Sequence, residues 1–227
     1  NYHLHHGTAT TDLSIGSQVS ASVNSDARVA TQRHHTATHL LQAAFQEIVG
    51  EHVHQAGSKV DSSRLRFDYT HGEALPPATL LALEDWVSNA ILSASPVETR
   101  ISSLDNARSQ GVTALFGEKY AEEVRVVEVP QFSAELCGGT HVANTGAIGL
   151  FRIVSDRALA AGVRRMEAVA GVAALQKVRG ERDSLATVAG LLKCPPHQVA
   201  ERVAGLQAQA KQGKTTAANS QIPDVED

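Results

Sequence analysis

Aromatic residues make up only 4% of this 227-residue chain, although 42% of it is hydrophobic. With so few rings the core has to be built from Ala, Val and Leu packed between helices and sheet, which suits a mixed α and β fold. Cysteine is equally scarce. Cys137 and Cys194 are the only two, too few and too far apart for the disulfide framework of a small secreted domain. No apolar run is long enough for a signal peptide or a membrane span. These absences point to a cytoplasmic protein with no membrane partner, whose thiols are free or bound to metal. A large positive charge is missing too: 20 Lys and Arg stand against 24 Asp and Glu, a net charge of -4 at pH 7. That excludes a wholly basic nucleic-acid coat and restricts any RNA contact to a local patch. Arg157, Arg164, Arg165, Lys177, Arg179 and Arg182, set against Glu167 and Glu181 between residues 157 and 182, form one such patch or an ordinary solvated face.

The length allows one large domain, or one domain with appendages. Its first residues read as mid-domain sequence, so the chain is expected to be a piece of a longer protein. Val19, Ala21 and Val23 alternate with serines between Leu13 and Asn24, the period of a half-buried strand closing something begun earlier. Leu40, Leu41, Ala44, Phe45 and Ile48 predict a helix from Thr31 to Val49, with Gly50 at its end. Two alternating runs at 53–60 and 63–69 predict a hairpin. A second helix follows Pro76 and Pro77, with the amphipathic pattern Leu80, Leu81, Leu83, Trp86, Val87, Ile91 and Leu92. Extended stretches are expected at 97–102, 123–129, 148–155 and 163–170, with a short helix near 105–110 and a glycine-punctuated loop at 137–150. Beyond Val172 the pattern is helical, broken at Pro195 and Pro196 and resumed at 197–210; the polar end reads as disordered.

His35 and His39 lie four apart on the first predicted helix, one turn from each other on the same face. Cys137-Gly138-Gly139-Thr140-His141 supplies a thiolate and an imidazole across two glycines, so its backbone can fold tightly around a cation. Together the pairs give one Cys and three His, a set zinc favours. Such a set serves equally as a closed structural staple. A metalloprotease would need Glu directly after the first metal-binding His; Thr36 is there instead.

These residues carry a resemblance. His35-Thr36-Ala37-Thr38-His39-Leu40-Leu41, then His54-Gln55-Ala56-Gly57-Ser58 leading to Leu65-Arg66-Phe67-Asp68, then Cys137 to His141 with Asn144-Thr145-Gly146-Ala147-Ile148-Gly149, and finally Gly162-Val163-Arg164-Arg165-Met166-Glu167-Ala168, resemble in order and spacing the editing domain of alanyl-tRNA synthetases. The match covers roughly residues 1 to 170. Threonyl-tRNA synthetases carry a related domain, but usually with Pro where this chain has Thr140, and without the Gly-Val-Arg-Arg segment. The family commonly has Asn or another polar residue where His34 stands here; spacing favours His35 over His34 as the ligand.

The resemblance implies an α+β fold, the second additional domain of threonyl and alanyl synthetases, with a mixed sheet, two long helices and a C-terminal helical segment. It implies four divisions: residues 1–27 as the end of a β-barrel-like segment, 28–170 as the zinc-containing editing domain, 171–212 as a helical linker and 213–227 as a disordered tail. It further implies hydrolysis of Ser-tRNA(Ala) and Gly-tRNA(Ala), with one Zn2+ per chain held by His35, His39, Cys137 and His141. Thr38 and Gln55 are the residues expected to position substrate or water, and Arg164 and Arg165 to touch tRNA phosphates. Its partners are the acceptor end of tRNA(Ala), the rest of a synthetase chain and a second copy joined through a C-terminal part. The ATP-dependent aminoacylation core has no counterpart in these residues. A freestanding trans-editing deacylase and an inactive zinc-stapled tRNA-binding module stay open beside editing within the synthetase.

Overall fold

The structure is a computed structural model that describes Leu4, residues 6–114 and residues 119–218, with side chains as far as Lys211. In chain order its elements are α1 (Ser25–Ile48), β1 (Gln55–Val60), β2 (Leu65–Thr70), α2 (Pro77–Leu92), β3 (Glu98–Ser103), α3 (Leu104–Ser109), β4 (Glu123–Val129), β5 (Ser133–Leu136), β6 (Phe151–Ala160), β7 (Val163–Ala170), α4 (Val172–Leu192) and α5 (Val199–Ala218). A 3-10 turn at Thr145–Ile148 precedes β6, and another at Pro196–Gln198 precedes α5.

Asn24 opens α1 by accepting the Ala27 amide on its side-chain oxygen at 2.9 Å, satisfying one donor that a helix start leaves unpaired. Asp26 adds an acidic charge in the first turn, where the helix dipole favours it. The apolar stripe Ala37, Leu40, Leu41, Ala44 and Phe45 is fully buried, and Gly50, at a φ of +131°, turns the chain away at the far end. Asp61 builds the hairpin turn between β1 and β2, its Oδ1 accepting the amides of Ser63 and Arg64.

One sheet has the order β1-β2-β7-β6, the other β3-β4-β5. Every strand pair within them is antiparallel; a parallel contact occurs as the isolated bridge Thr113 to Glu135. The larger sheet packs under α1 and α2, with Phe45, Phe67 and Tyr69 at the centre of the main core. Phe45 and Tyr69 have ring centroids 4.4 Å apart. A smaller core of Ala107, Val112, Val124, Val126 and Leu136 supports the second sheet. Three of the few aromatics thus meet at the centre of the main core, and most of its other buried members are aliphatic.

Three expectations need correction. Residues 13–24 form no strand: they are exposed and without regular structure, because no neighbouring strand among the described residues offers them backbone partners. Residues 1–3 and 5 of the β-barrel-like segment expected over 1–27 lie outside the described residues. The first helix begins at Ser25, not Thr31, since the Asn24 cap extends it past the apolar periodicity. β5 occupies residues to which the sequence assigned no element. At the C-terminus α5 continues helical to Ala218, through part of the segment expected to be disordered from 213; residues 219–227 lie outside the described residues. No helix among the described residues is long and apolar enough to cross a membrane.

Candidate metal centre

α1 delivers two imidazoles to one place. His35 and His39 have ring centroids 5.1 Å apart, as their spacing of four requires. The loop after β5 brings Cys137 and His141 against them: His141 stacks on His35 at 4.1 Å and meets His39 at 4.6 Å. The Cys137 Sγ lies 3.4 Å from Nε2 of His35 and 3.4 Å from Nε2 of His141. One donor atom from each of the four residues falls within 4.8 Å of every other.

The loop is clamped into this shape. Arg125, on β4, donates through one Nη1 to the carbonyls of Cys137 at 2.8 Å and Gly139 at 2.7 Å, while the Cys137 amide donates to the Arg125 carbonyl. Gly139 is required by contact: a Cβ there would stand 2.2 Å from Cε1 of His35. Nothing lies within 4 Å of a Cβ on Gly138.

Each histidine is also held from behind through Nδ1. His35 Nδ1 is 3.2 Å from the Thr140 carbonyl, which can only accept, so that nitrogen carries the proton. Thr36 donates its hydroxyl to the Gln32 carbonyl at 3.0 Å and so accepts from His141 Nδ1 at 3.1 Å and from the Val142 amide at 3.2 Å. His39 Nδ1 stands 3.5 Å from Oε2 of Glu135. In all three rings Nε2 is left for the shared centre, and outer contacts of this kind fix metal-binding tautomers.

Burial pushes all three imidazoles below their usual range, His39 well below it and His141 to about 3; Arg125 adds to the effect on all three, and neighbouring imidazoles add to it on His39 and His141. They are therefore neutral, the form that binds metal. Burial raises the Cys137 thiol, partly offset by the Gly139 amide, and raises Glu135 to about 8. A tetrahedral zinc with bonds of about 2.0 to 2.3 Å suits one sulfur and three imidazole nitrogens gathered this closely. The donor set fits that ion.

A profile described as the threonyl and alanyl tRNA synthetase second additional domain matches residues 124–167, from β4 into β7 and through the Cys137 loop. The alanine–tRNA ligase of Desulfitobacterium hafniense (strain Y51) is 50% identical over 194 residues, covering 86% of this chain. That of Aromatoleum aromaticum is 47% identical over 203 residues, covering 89%. The chain corresponds to the part of alanyl-tRNA synthetases that holds this second additional domain. It spans 22% and 23% of the length of those two relatives.

Within this alanyl-tRNA synthetase region the structure separates the other expected residues from the cluster to different degrees. His34 faces away, fully buried, with Nδ1 2.9 Å from the Asp61 carbonyl. Thr38 is buried one residue before His39 and donates its hydroxyl to the His34 carbonyl at 2.8 Å, leaving oxygen lone pairs to accept. Gln55 is half-buried at the head of β1, beside a bulge at Ala56; bulges commonly re-aim side chains near sites. Arg164 and Arg165 are both engaged in forked pairs, Arg164 with Asp156 and Arg165 with Asp68. Their guanidinium forks are thus turned to carboxylates of the sheet. Thr36, Arg125 and Glu135 were not singled out from sequence. Arg125 and Glu135 reach the centre from other strands, and Thr36 was noted only for not being Glu.

Proposed function

We propose that this region hydrolyses the ester joining a wrongly attached Ser or Gly to the 3′ end of tRNA(Ala). The observation that carries the reading is the four-donor group itself: His39 is buried, but His35, Cys137 and His141 keep part of their surface open, so a substrate can approach. Zinc bound there would polarise an ester carbonyl, orient the substrate amine or hydroxyl, or acidify a water. His35, His39 and His141 present Nε2 and Cys137 its sulfur, while Thr140, Glu135 and Thr36 hold the rings in place. Thr38 and Gln55 position the aminoacyl group or the attacking water, Gln55 from the bulged end of β1. A second site is needed because a pocket shaped for Ala cannot strongly exclude the smaller Gly or the near-isosteric Ser.

The likeness to alanine–tRNA ligases supports editing in cis, within a cytoplasmic synthetase that attaches alanine to tRNA(Ala) using ATP. Its partners are then the tRNA acceptor end, the rest of the synthetase and a second copy. The exposed apolar residues Leu175, Val178, Leu185, Val188 and Leu191 along α4 fit packing against a further part of that assembly. Substituting Gln55→Ala and Thr38→Val tests the site. Loss of Ser release with tRNA binding and bound zinc retained is expected; full release by both variants would remove these residues from the mechanism. A chain that binds tRNA and zinc yet releases nothing would be a zinc-stapled binding module instead.

A further inference from the structure

Glu135 is a carboxylate that the fold alone does not explain. It lies on β5, 7% exposed, in a strand of four residues whose pairing with β4 needs only backbone. A buried carboxylate is costly unless it is hydrogen-bonded or matched by positive charge. Among the described residues its carboxyl has two polar contacts: Ser133 donates its hydroxyl to Oε1 at 3.2 Å, and Oε2 faces His39 Nδ1 at 3.5 Å. His39 is the most buried of the four donors, and its outer nitrogen faces a carboxylate, where those of His35 and His141 face a carbonyl and a hydroxyl.

We propose that Glu135 is a positioning residue for the metal centre: its Oε2, 3.5 Å from His39 Nδ1, accepts the proton of that nitrogen and fixes the tautomer that presents Nε2. This rests on the zinc reading given above. The strand and the centre are thereby coupled, since β5 runs directly into Cys137. One short segment then contributes a ligand and the group that orients another ligand on α1. The separation of 3.5 Å is long for a charge-assisted bond; a cation held through Nε2 would make the Nδ1 proton more acidic and favour a closer contact.

The test is zinc affinity, measured by competition with a chelator of known strength, together with the absorption spectrum of the Co2+-substituted protein. Glu135→Leu should bind zinc about 10- to 100-fold more weakly, the usual consequence of losing such an outer contact. Glu135→Gln, whose amide oxygen still accepts, should recover part of that loss and show a shifted Co2+ spectrum. In a His39→Ala background Glu135→Leu should change affinity no further, because its effect passes through that ring. Unfolding midpoints of the zinc-free proteins separate loss of affinity from loss of fold, and Glu135→Gln carries the test if Glu135→Leu does not fold. Affinity and spectrum both unchanged in Glu135→Gln, or an equal loss with and without His39, would overturn the proposal. Absence of bound zinc in the unmodified chain would overturn the metal reading as well.

Discussion

At the scale of single residues the two glycines of the Cys137 loop are not equivalent. Gly139 touches the His35 ring so closely that any Cβ must displace it, whereas Gly138 borders open space. Gly139→Ala should therefore weaken zinc binding at least about tenfold, given how strongly metal affinity depends on ligand placement, while Gly138→Ala leaves it near the starting value. Equal effects at the two positions, read by chelator competition, would show that the loop moves freely around the centre. The four donors could be singled out in the sequence because two pairs at a spacing of four leave a local mark. Arg125 and Glu135 left none. Their roles arise where β4 and β5 meet the loop, a contact that spacing along the chain does not encode.

Elements show a similar division. The hairpin, both long helices and strands β6 and β7 could be placed from periodicity and turn residues, because each buries one face against the same core. Residues 13–24 had the alternation of a strand and are not one, since a strand also needs a partner. β2 and β7 are joined by more than their ladder: Arg165 grips Asp68 through two hydrogen bonds of 2.7 and 2.8 Å. The Arg165 hydrogen bond holds the Asp68 carboxyl below its usual range despite partial burial. A depressed carboxylate stabilises the fold above its unfolded pKa of about 3.9 and loses that contribution as pH falls through the lower folded value. Asp68→Asn should thus be less stable than the unmodified chain at pH 7. The gap should close as the pH falls below the unfolded value and through the lower folded one, followed by denaturant unfolding of zinc-free protein. A gap independent of pH would mean that the pair contributes shape and not charge.

For the whole molecule, a scarcity of aromatics and an abundance of Ala, Val and Leu led correctly to helices packed on sheet. Composition could not foresee that the strands divide into two separate antiparallel sheets. That division matters, because one sheet with α1 anchors His35 and His39 and the other carries the strand leading to Cys137. The centre lies where the two meet, so metal binding and the relative placement of the two layers are linked. The most direct measurement is deacylation of Ser-tRNA(Ala) compared with Ala-tRNA(Ala) by the purified chain, with bound zinc quantified, beside Cys137→Ala. Selective release of Ser with one zinc bound, falling by at least about 100-fold as a ligand is lost, is the predicted result. Ser release undiminished in a zinc-free Cys137→Ala protein would contradict a metal-dependent editing site.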